Sequence, residues 1–381
     1  MEMSDVITEA YQRLAVARRP EAERLVQAMS TSRILGVLGE AEVGKTETIK
    51  QALRLRWQEA RSRPQALLTL DLGRAANGEH LASMVTKQIS SAVLGINSFT
   101  LVSTGTLLPA PAEGELVKLS RLIGVDGVDE ALRPWPSGTF PLEKALVAIE
   151  DLAADHKTTV WIDHAEAPSL TPRHPLDVDG LLWGIRAMAQ RSENLSLIIA
   201  ARDAFERELQ GRDRAFYEQG RWLELDNPPS PIWEQIGEQL GVKASMTEEL
   251  VEHTRGHPPT MLRALPLAAT GGGLPLAAET IRELTIASGP LTSRAIQHAR
   301  SLHRLGGQVL EQIALGQRPY AAAQKGASPP QEIRKVLGRL HLAGLIRHDP
   351  DGWSVVDPLV EAALSHPVQL AIAEEWPATG R

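Results

Sequence analysis

Hydrophobic positions from the N-terminus to Leu225 alternate between two patterns. Short apolar runs bounded by polar residues occur at Arg33 to Leu38, Ala66 to Leu72, Val160 to Asp163, Leu195 to Ala200 and Arg221 to Leu225. Runs of this length, rich in Leu, Ile and Val, suit strands buried on both faces. Between them lie longer stretches with helical periodicity, at Lys45 to Arg61 and His80 to Leu94. Two more helices are predicted ahead of the first run, Ser4 to Arg18 and Pro20 to Met29, the second opened by a proline in its first turn. Strands alternating with helices predict an α/β fold, a parallel sheet with helices on both faces. Asn97 to Pro141 breaks the rhythm, being rich in Gly, Pro, Ser and Thr and too long for an ordinary connection. It reads as a lid, an insertion or a partner-binding loop.

Beyond Asn227-Pro228-Pro229-Ser230-Pro231 the pattern becomes purely helical as far as about Ser288, where Gly289-Pro290 interrupts it. The remainder predicts a helix at Val309 to Ala314, a short one at Tyr320 to Lys325, and a third at Pro329 to Leu342. In the third, Ile333, Val336, Leu337 and Leu340 fall at helical spacing. Gly344 to Arg347 and Trp353 to Val356 then flank a turn, which reads as a β-hairpin. Three helices and a hairpin make a winged helix-turn-helix. The predicted boundaries are residues 1–227 for the sheet domain with its insertion, 228–288 for a helical lid, and 289–381 for the winged helix.

Length and charge refine this picture. At 381 residues the chain has room for two or three domains. It contains no cysteine, which excludes disulfides, thiolate metal sites and cysteine nucleophiles. Aromatics make up 4%, so the core must be built mainly of Leu, Ile, Val and Ala. No apolar run is long enough for a membrane helix, and MEMSDVITEAYQR lacks the layout of a secretory signal, so a cytoplasmic protein without a membrane partner is expected. The net charge of −7 rules out a uniformly basic coat, yet residues 294–347 hold nine Lys or Arg against two Glu, a local excess of +7.

The sharpest chemical signal is Gly39-Glu40-Ala41-Glu42-Val43-Gly44-Lys45-Thr46, a complete G-x-x-x-x-G-K-[ST] between a predicted strand and a predicted helix. Glycines let the backbone curl so that successive N–H groups face phosphate oxygens, and the start of the helix adds its positive dipole end. Lys45 supplies charge for the β- and γ-phosphates, Thr46 is a Mg²⁺ ligand, and Thr48 lies in the helix just beyond. ATP with Mg²⁺ is the expected cofactor pair.

A phosphate loop needs a second carboxylate for the metal, at the end of a neighbouring strand. Asp163, closing Val160-Trp161-Ile162-Asp163, is that candidate, against the plainer reading of a strand-capping aspartate. The next position, where a water-orienting acid commonly stands, is His164, so Glu166 becomes the candidate for that role and slow turnover is expected. Arg202, after the fourth run, is read either as a γ-phosphate sensor or as a surface arginine paired with Asp203. Arg207, Arg212, Arg214 and Arg221 are read as solubilising charge, with an arginine offered across a subunit interface as the alternative.

Taken together and in order, GEAEVGKT at 39–46, VWIDHAE at 160–166, IIAAR at 198–202 and RGHPP at 255–259 resemble an AAA+-related ATPase. The nearest likeness is to signal-transduction ATPases with numerous domains and their archaeal-type and origin-recognition-like relatives. The resemblance implies a five-stranded sheet with a central P-loop strand, a helical lid, and a lid motif here represented by Gly256 and Pro258 packed by the nucleotide. Those two residues also suit the end of one helix and the start of another. It further implies a molecular switch in which ATP sets the arrangement of sheet domain, lid and winged helix. Ser328, Gln331, Arg334, Lys335 and Arg339 lie in or just before the third helix, outside its apolar set, and are the candidate DNA contacts. The alternative is a protein-scaffolding ATPase whose winged helix binds protein, in a complex with a partner or with itself. The basic module could also pack back onto the acidic ATPase half as a closed resting state.

Overall fold

The computed structural model describes residues 3–59, 65–74, 146–147, 149–150, 153–154, 157–170, 174, 176–270, 277–320 and 329–365. The predicted helix at His80 to Leu94, the insertion at 97–141 and the short helix after Tyr320 lie outside them, apart from Tyr320 itself. The described chain separates into two compact units. One comprises Arg19–Gly39 and Lys45–Leu225, and the other Met1–Arg18, Glu40–Gly44 and Asp226–Arg381.

The first unit is built on the sheet. Its strands are β1 (Ile34–Leu38), β2 (Gln65–Asp71), β3 (Lys157–Asp163), β4 (Leu195–Ala201) and β5 (Arg221–Glu224), within two residues of the apolar runs at either end, or three at the start of β3. All pair in parallel, in the order β2-β3-β4-β1-β5. The P-loop strand β1 is therefore interior but not central. The strand ending in Asp163 is not its direct neighbour, because β4 lies between them.

Every residue of β1 is buried, which is why its run shows no polar alternation. Gly36 is required there: a Cβ built on it would lie 1.8 Å from the Trp222 ring on β5. Helices α2 (Arg19–Thr31) and α3 (Lys45–Glu59) cover one face, where Leu25, Met29, Ile49 and Leu53 join Leu35, Val37, Trp161 and Ile198 in one core. The unit also contains the short α4 (Ala167–Leu170), α5 (Val178–Arg191) and the short α6 (Glu206–Gln210). α5 starts at an Asp177 side chain that accepts from the Gly180 N–H, an N-cap.

The second unit is helical. Its helix α1 (Met3–Ala17) packs with α7 (Ser230–Gln239) and α9 (Pro258–Thr270). α8 (Ala244–Thr254) and α10 (Ala277–Ala287) complete a core containing Trp233, Ile236, Leu250, Met261 and Leu265. Gly289-Pro290 does not end a helix but begins one, α11 (Gly289–Leu302), because proline is tolerated in a first turn.

α12 (Gly306–Ala314), α13 (Pro330–Leu342), the antiparallel hairpin of β6 (Ile346–Asp349) and β7 (Gly352–Val355), and α14 (Pro358–Ser365) follow. α12, α13 and the hairpin stand where the expected winged helix has its first helix, its third helix and its hairpin. Ile333, Val336, Leu337 and Leu340 are all buried, as their spacing predicted. No described helix is long and apolar enough to cross a membrane.

Candidate functional site

In the sheet unit the site grows from strand ends. α3 starts at Lys45, directly after the glycine-containing loop, so its first-turn N–H groups lack helical partners. The loop carries left-handed backbone at Glu42 (φ 61°) and Gly44 (φ 102°), the conformation that curls successive peptides into an anion-binding concavity. Lys45 Nζ donates to the Gly39 carbonyl at 2.8 Å. Burial pushes the Lys45 ammonium down to about 8, with the carboxylates of Glu166, Asp203 and Asp163 acting in the opposite direction. A group so placed lacks solvation that an anion would supply.

Thr46 Oγ1 donates to Asp163 Oδ2 at 3.0 Å, which unites the loop threonine with the candidate metal carboxylate at the end of β3. Asp163 is 6% exposed, and its other oxygen accepts from the His164 N–H at 3.1 Å. Hard oxygen donors, few in number, suit Mg²⁺, which retains water and phosphate oxygens as its remaining ligands. The residues present fit that ion and a triphosphate. Thr48 is buried one turn into α3.

Both His164, at the expected base position, and Glu166 are committed elsewhere. Glu166 is 2% exposed, and Arg202 holds it twice, through Nε to Oε1 at 3.2 Å and its backbone N–H to Oε2 at 3.3 Å. Arg202 thus meets Glu166, and the carboxylate expected to orient water is engaged by the expected sensor. His164, with left-handed backbone (φ 53°), turns its ring to Asp71, Nδ1 to Oδ1 at 3.1 Å. This hydrogen bond raises the His164 pKa and lowers that of Asp71.

Asp71 is a site residue that sequence reasoning misses although a signal is present: LTLD and VWID end alike, and Asp71 pairs in register with Asp163. Of the four downstream arginines, Arg214 is tied to Asp179 at 3.3 Å and to Glu208, while Arg207, Arg212 and Arg221 are exposed.

The helical unit holds Glu40–Gly44 of the loop and the lid motif. Arg18, 5% exposed, donates to the Val43 carbonyl at 2.9 Å and the Asp226 carbonyl at 2.7 Å, fastening the loop from the end of α1. Nothing in its sequence context marks it. Arg255 caps α8 in left-handed conformation, and Gly256 follows with φ 66°. Gly256 is also closely packed, since a Cβ would lie 3.1 Å from the Pro228 carbonyl and 3.2 Å from Trp233 Nε1. Pro258 begins α9, so both residues of the lid motif perform the helix-terminating role open to them. Arg255 reaches the Val355 carbonyl and Glu361, each at 2.7 Å, joining the lid to the hairpin and to α14.

On α13 Gln331, Arg334 and Lys335 are exposed. Arg339 is exposed as well, but its Nη1 donates to the Leu302 carbonyl at 2.7 Å at the end of α11. Ser328 lies outside the described residues.

No family model and no curated protein matches the chain. Among solved structures, the Walker-type ATPase of Pyrococcus abyssi matches with a TM-score of 0.60 at 15% identity, over 91% of this chain and 95% of that one. The chain has the fold of a Walker-type P-loop ATPase. The ORC2 protein of Aeropyrum pernix in its ADPNP–ADP complexes covers 94% of each chain at 15% identity, with a TM-score of 0.47. The ORC1 protein of the same organism in complex with DNA covers 93% of this chain and 94% of its own, at 14% identity and a TM-score of 0.41. The first likeness bears on the fold; the other two are too distant to carry an argument.

Proposed function

We propose that the chain is an ATP-binding, slowly hydrolysing molecular switch whose nucleotide state is coupled to DNA binding through the basic C-terminal module. The observation that carries the nucleotide reading is the meeting of Thr46 and Asp163 at 3.0 Å, beside a lysine already curled onto its own loop. Peptide N–H groups of the loop and the start of α3 hold the phosphates. Lys45 would exchange the Gly39 carbonyl for β- and γ-phosphate oxygens, and Thr46 with Asp163 would hold Mg²⁺. When bound, the ion neutralises charge that develops on the transferred phosphoryl group.

Slow turnover follows from the neighbours of Asp163. The Glu166 carboxylate is occupied by Arg202, and the His164 ring is turned to Asp71, so neither stands ready to orient water. Arg202 as a γ-phosphate sensor then requires exchange of its Glu166 partner for phosphate. Support for DNA comes from the exposed Gln331, Arg334 and Lys335 on one helix of a locally cationic segment.

The test is calorimetry of ATP binding with Mg²⁺. Lys45→Ala should lower affinity at least about tenfold with the fold intact, because the triphosphate then lacks its charge-assisted donor. Asp163→Asn should lose Mg²⁺-dependent hydrolysis while leaving the fold, which a phosphate-release assay checks. Equal ATP binding by wild type and Lys45→Ala overturns the reading.

A further inference from the structure

The phosphate loop carries two carboxylates, Glu40 and Glu42, in a motif whose purpose is to hold an anion. An unneutralised acid there would oppose the binding of a triphosphate by direct Coulomb repulsion. In the unit to which Glu40–Gly44 belongs, Glu40 Oε1 lies 3.2 Å from Arg347 Nη1 of β6. The pair is largely withdrawn from water, with side-chain exposures of 20% for Arg347 and 21% for Glu40, so salt screens it less than a surface pair.

Arg347 is also pre-positioned. Its Nε meets Asp349 Oδ2 at 3.1 Å and Ser354 Oγ at 3.2 Å, and the Ser354 hydroxyl itself donates to Asp349 at 2.5 Å. Those partners sit on the two strands of the hairpin and hold the guanidinium in place. The hairpin is in turn held to the lid by Arg255 at the Val355 carbonyl.

We infer that Arg347 is a positioning residue for the nucleotide: it neutralises Glu40, so the phosphate loop has its full affinity for ATP only while the hairpin is docked on it. This rests on the nucleotide reading above and adds a coupling to it. Because binding linkage is reciprocal, any ligand that draws the hairpin away from Glu40 lowers ATP affinity, and bound ATP resists that withdrawal by the same factor. The wing thereby reports on the loop, and the loop on the wing, without either residue touching phosphate.

The experiment is a three-variant cycle on the full chain, read as the dissociation constant for ATP with Mg²⁺, with thermal melting as the check on folding. Arg347→Ala leaves the Glu40 charge behind and should weaken ATP binding about tenfold. Glu40→Gln removes that charge and is the reference for the double variant: adding Arg347→Ala to it should cost no more than about threefold in ATP affinity, and the double variant should bind more tightly than Arg347→Ala. That rescue separates charge neutralisation from damage to the hairpin, which a second substitution in the loop would not repair. Unchanged affinity in Arg347→Ala overturns the inference. A double variant as weak as Arg347→Ala overturns it too, by making the loss structural. Wild-type protein that binds no ATP instead overturns the nucleotide reading, and the coupling falls with it.

Discussion

Glu166 and His164 stand two residues apart, and each is taken by a different partner from elsewhere in the sheet unit. Arg202 claims the first and Asp71 the second. In the helical unit the residue of comparable interest is His257, 3% exposed, with Nδ1 at 2.9 Å from the Thr260 hydroxyl. Burial lowers its pKa from 6.5 to about 4, opposed by Asp357 and reinforced by Arg255, Arg347 and Arg263. The unfolded chain therefore binds more protons than the native one between about pH 4 and 6.5. In that window stability rises with pH, and it is lost as pH falls from 6.5 towards 4. A shift of this size corresponds to about 3 kcal/mol. Urea unfolding at pH 7, 5.5 and 4.5 should show the loss, and His257→Gln should flatten the part of the slope that His257 causes. A slope unaltered by that substitution would assign the dependence to other groups.

At the scale of elements, α13 separates buried from exposed positions on one helix. Ile333, Val336, Leu337 and Leu340 are buried, while Arg334 and Lys335 between them are exposed. Leu337→Ala should therefore lower stability by about 2–5 kcal/mol, through reduced apolar burial and the cavity left behind. Reversal of Arg334 and Lys335 to Glu should change stability by less than about 1 kcal/mol, since neither residue packs. If the helix lies on DNA, the same reversal should weaken duplex binding and reduce the salt slope by about 1 for each phosphate no longer neutralised. Fluorescence anisotropy at several salt concentrations measures both quantities. No wild-type binding at low salt would favour a protein partner for this module. Arg339 makes a poorer test, because its hydrogen bond to the Leu302 carbonyl gives it a structural role as well.

For the molecule as a whole, a ligand that binds only the native state raises stability by mass action. Saturation with ATP and Mg²⁺ at a hundred times the dissociation constant should add about 2.7 kcal/mol, an upward shift of a few degrees in the melting midpoint. Lys45→Ala, with affinity at least about tenfold lower, should cut that shift to about half or less at the same ATP concentration without lowering the midpoint of the nucleotide-free protein by a comparable amount. Scanning calorimetry with and without nucleotide checks both. An equal shift in the two proteins would mean that ATP stabilises the chain somewhere other than the phosphate loop.

What the sequence determines alone is what lies close together along the chain. The phosphate loop is legible because its glycines, lysine and threonine are contiguous, and the strands because burial on both faces leaves an unbroken apolar run. α13 is legible because four apolar residues at helical spacing define one face. The partners of the charged residues are a different matter. Glu166 finds Arg202 across 36 positions, His164 finds Asp71 across 93, and Arg347 finds Glu40 across 307. Periodicity constrains which side chains leave water, but a charge chooses its partner by distance in space. Those distances are set by the insertion of β4 between β3 and β1, by the parallel register that brings Asp71 level with Asp163, and by the hairpin's approach to the loop.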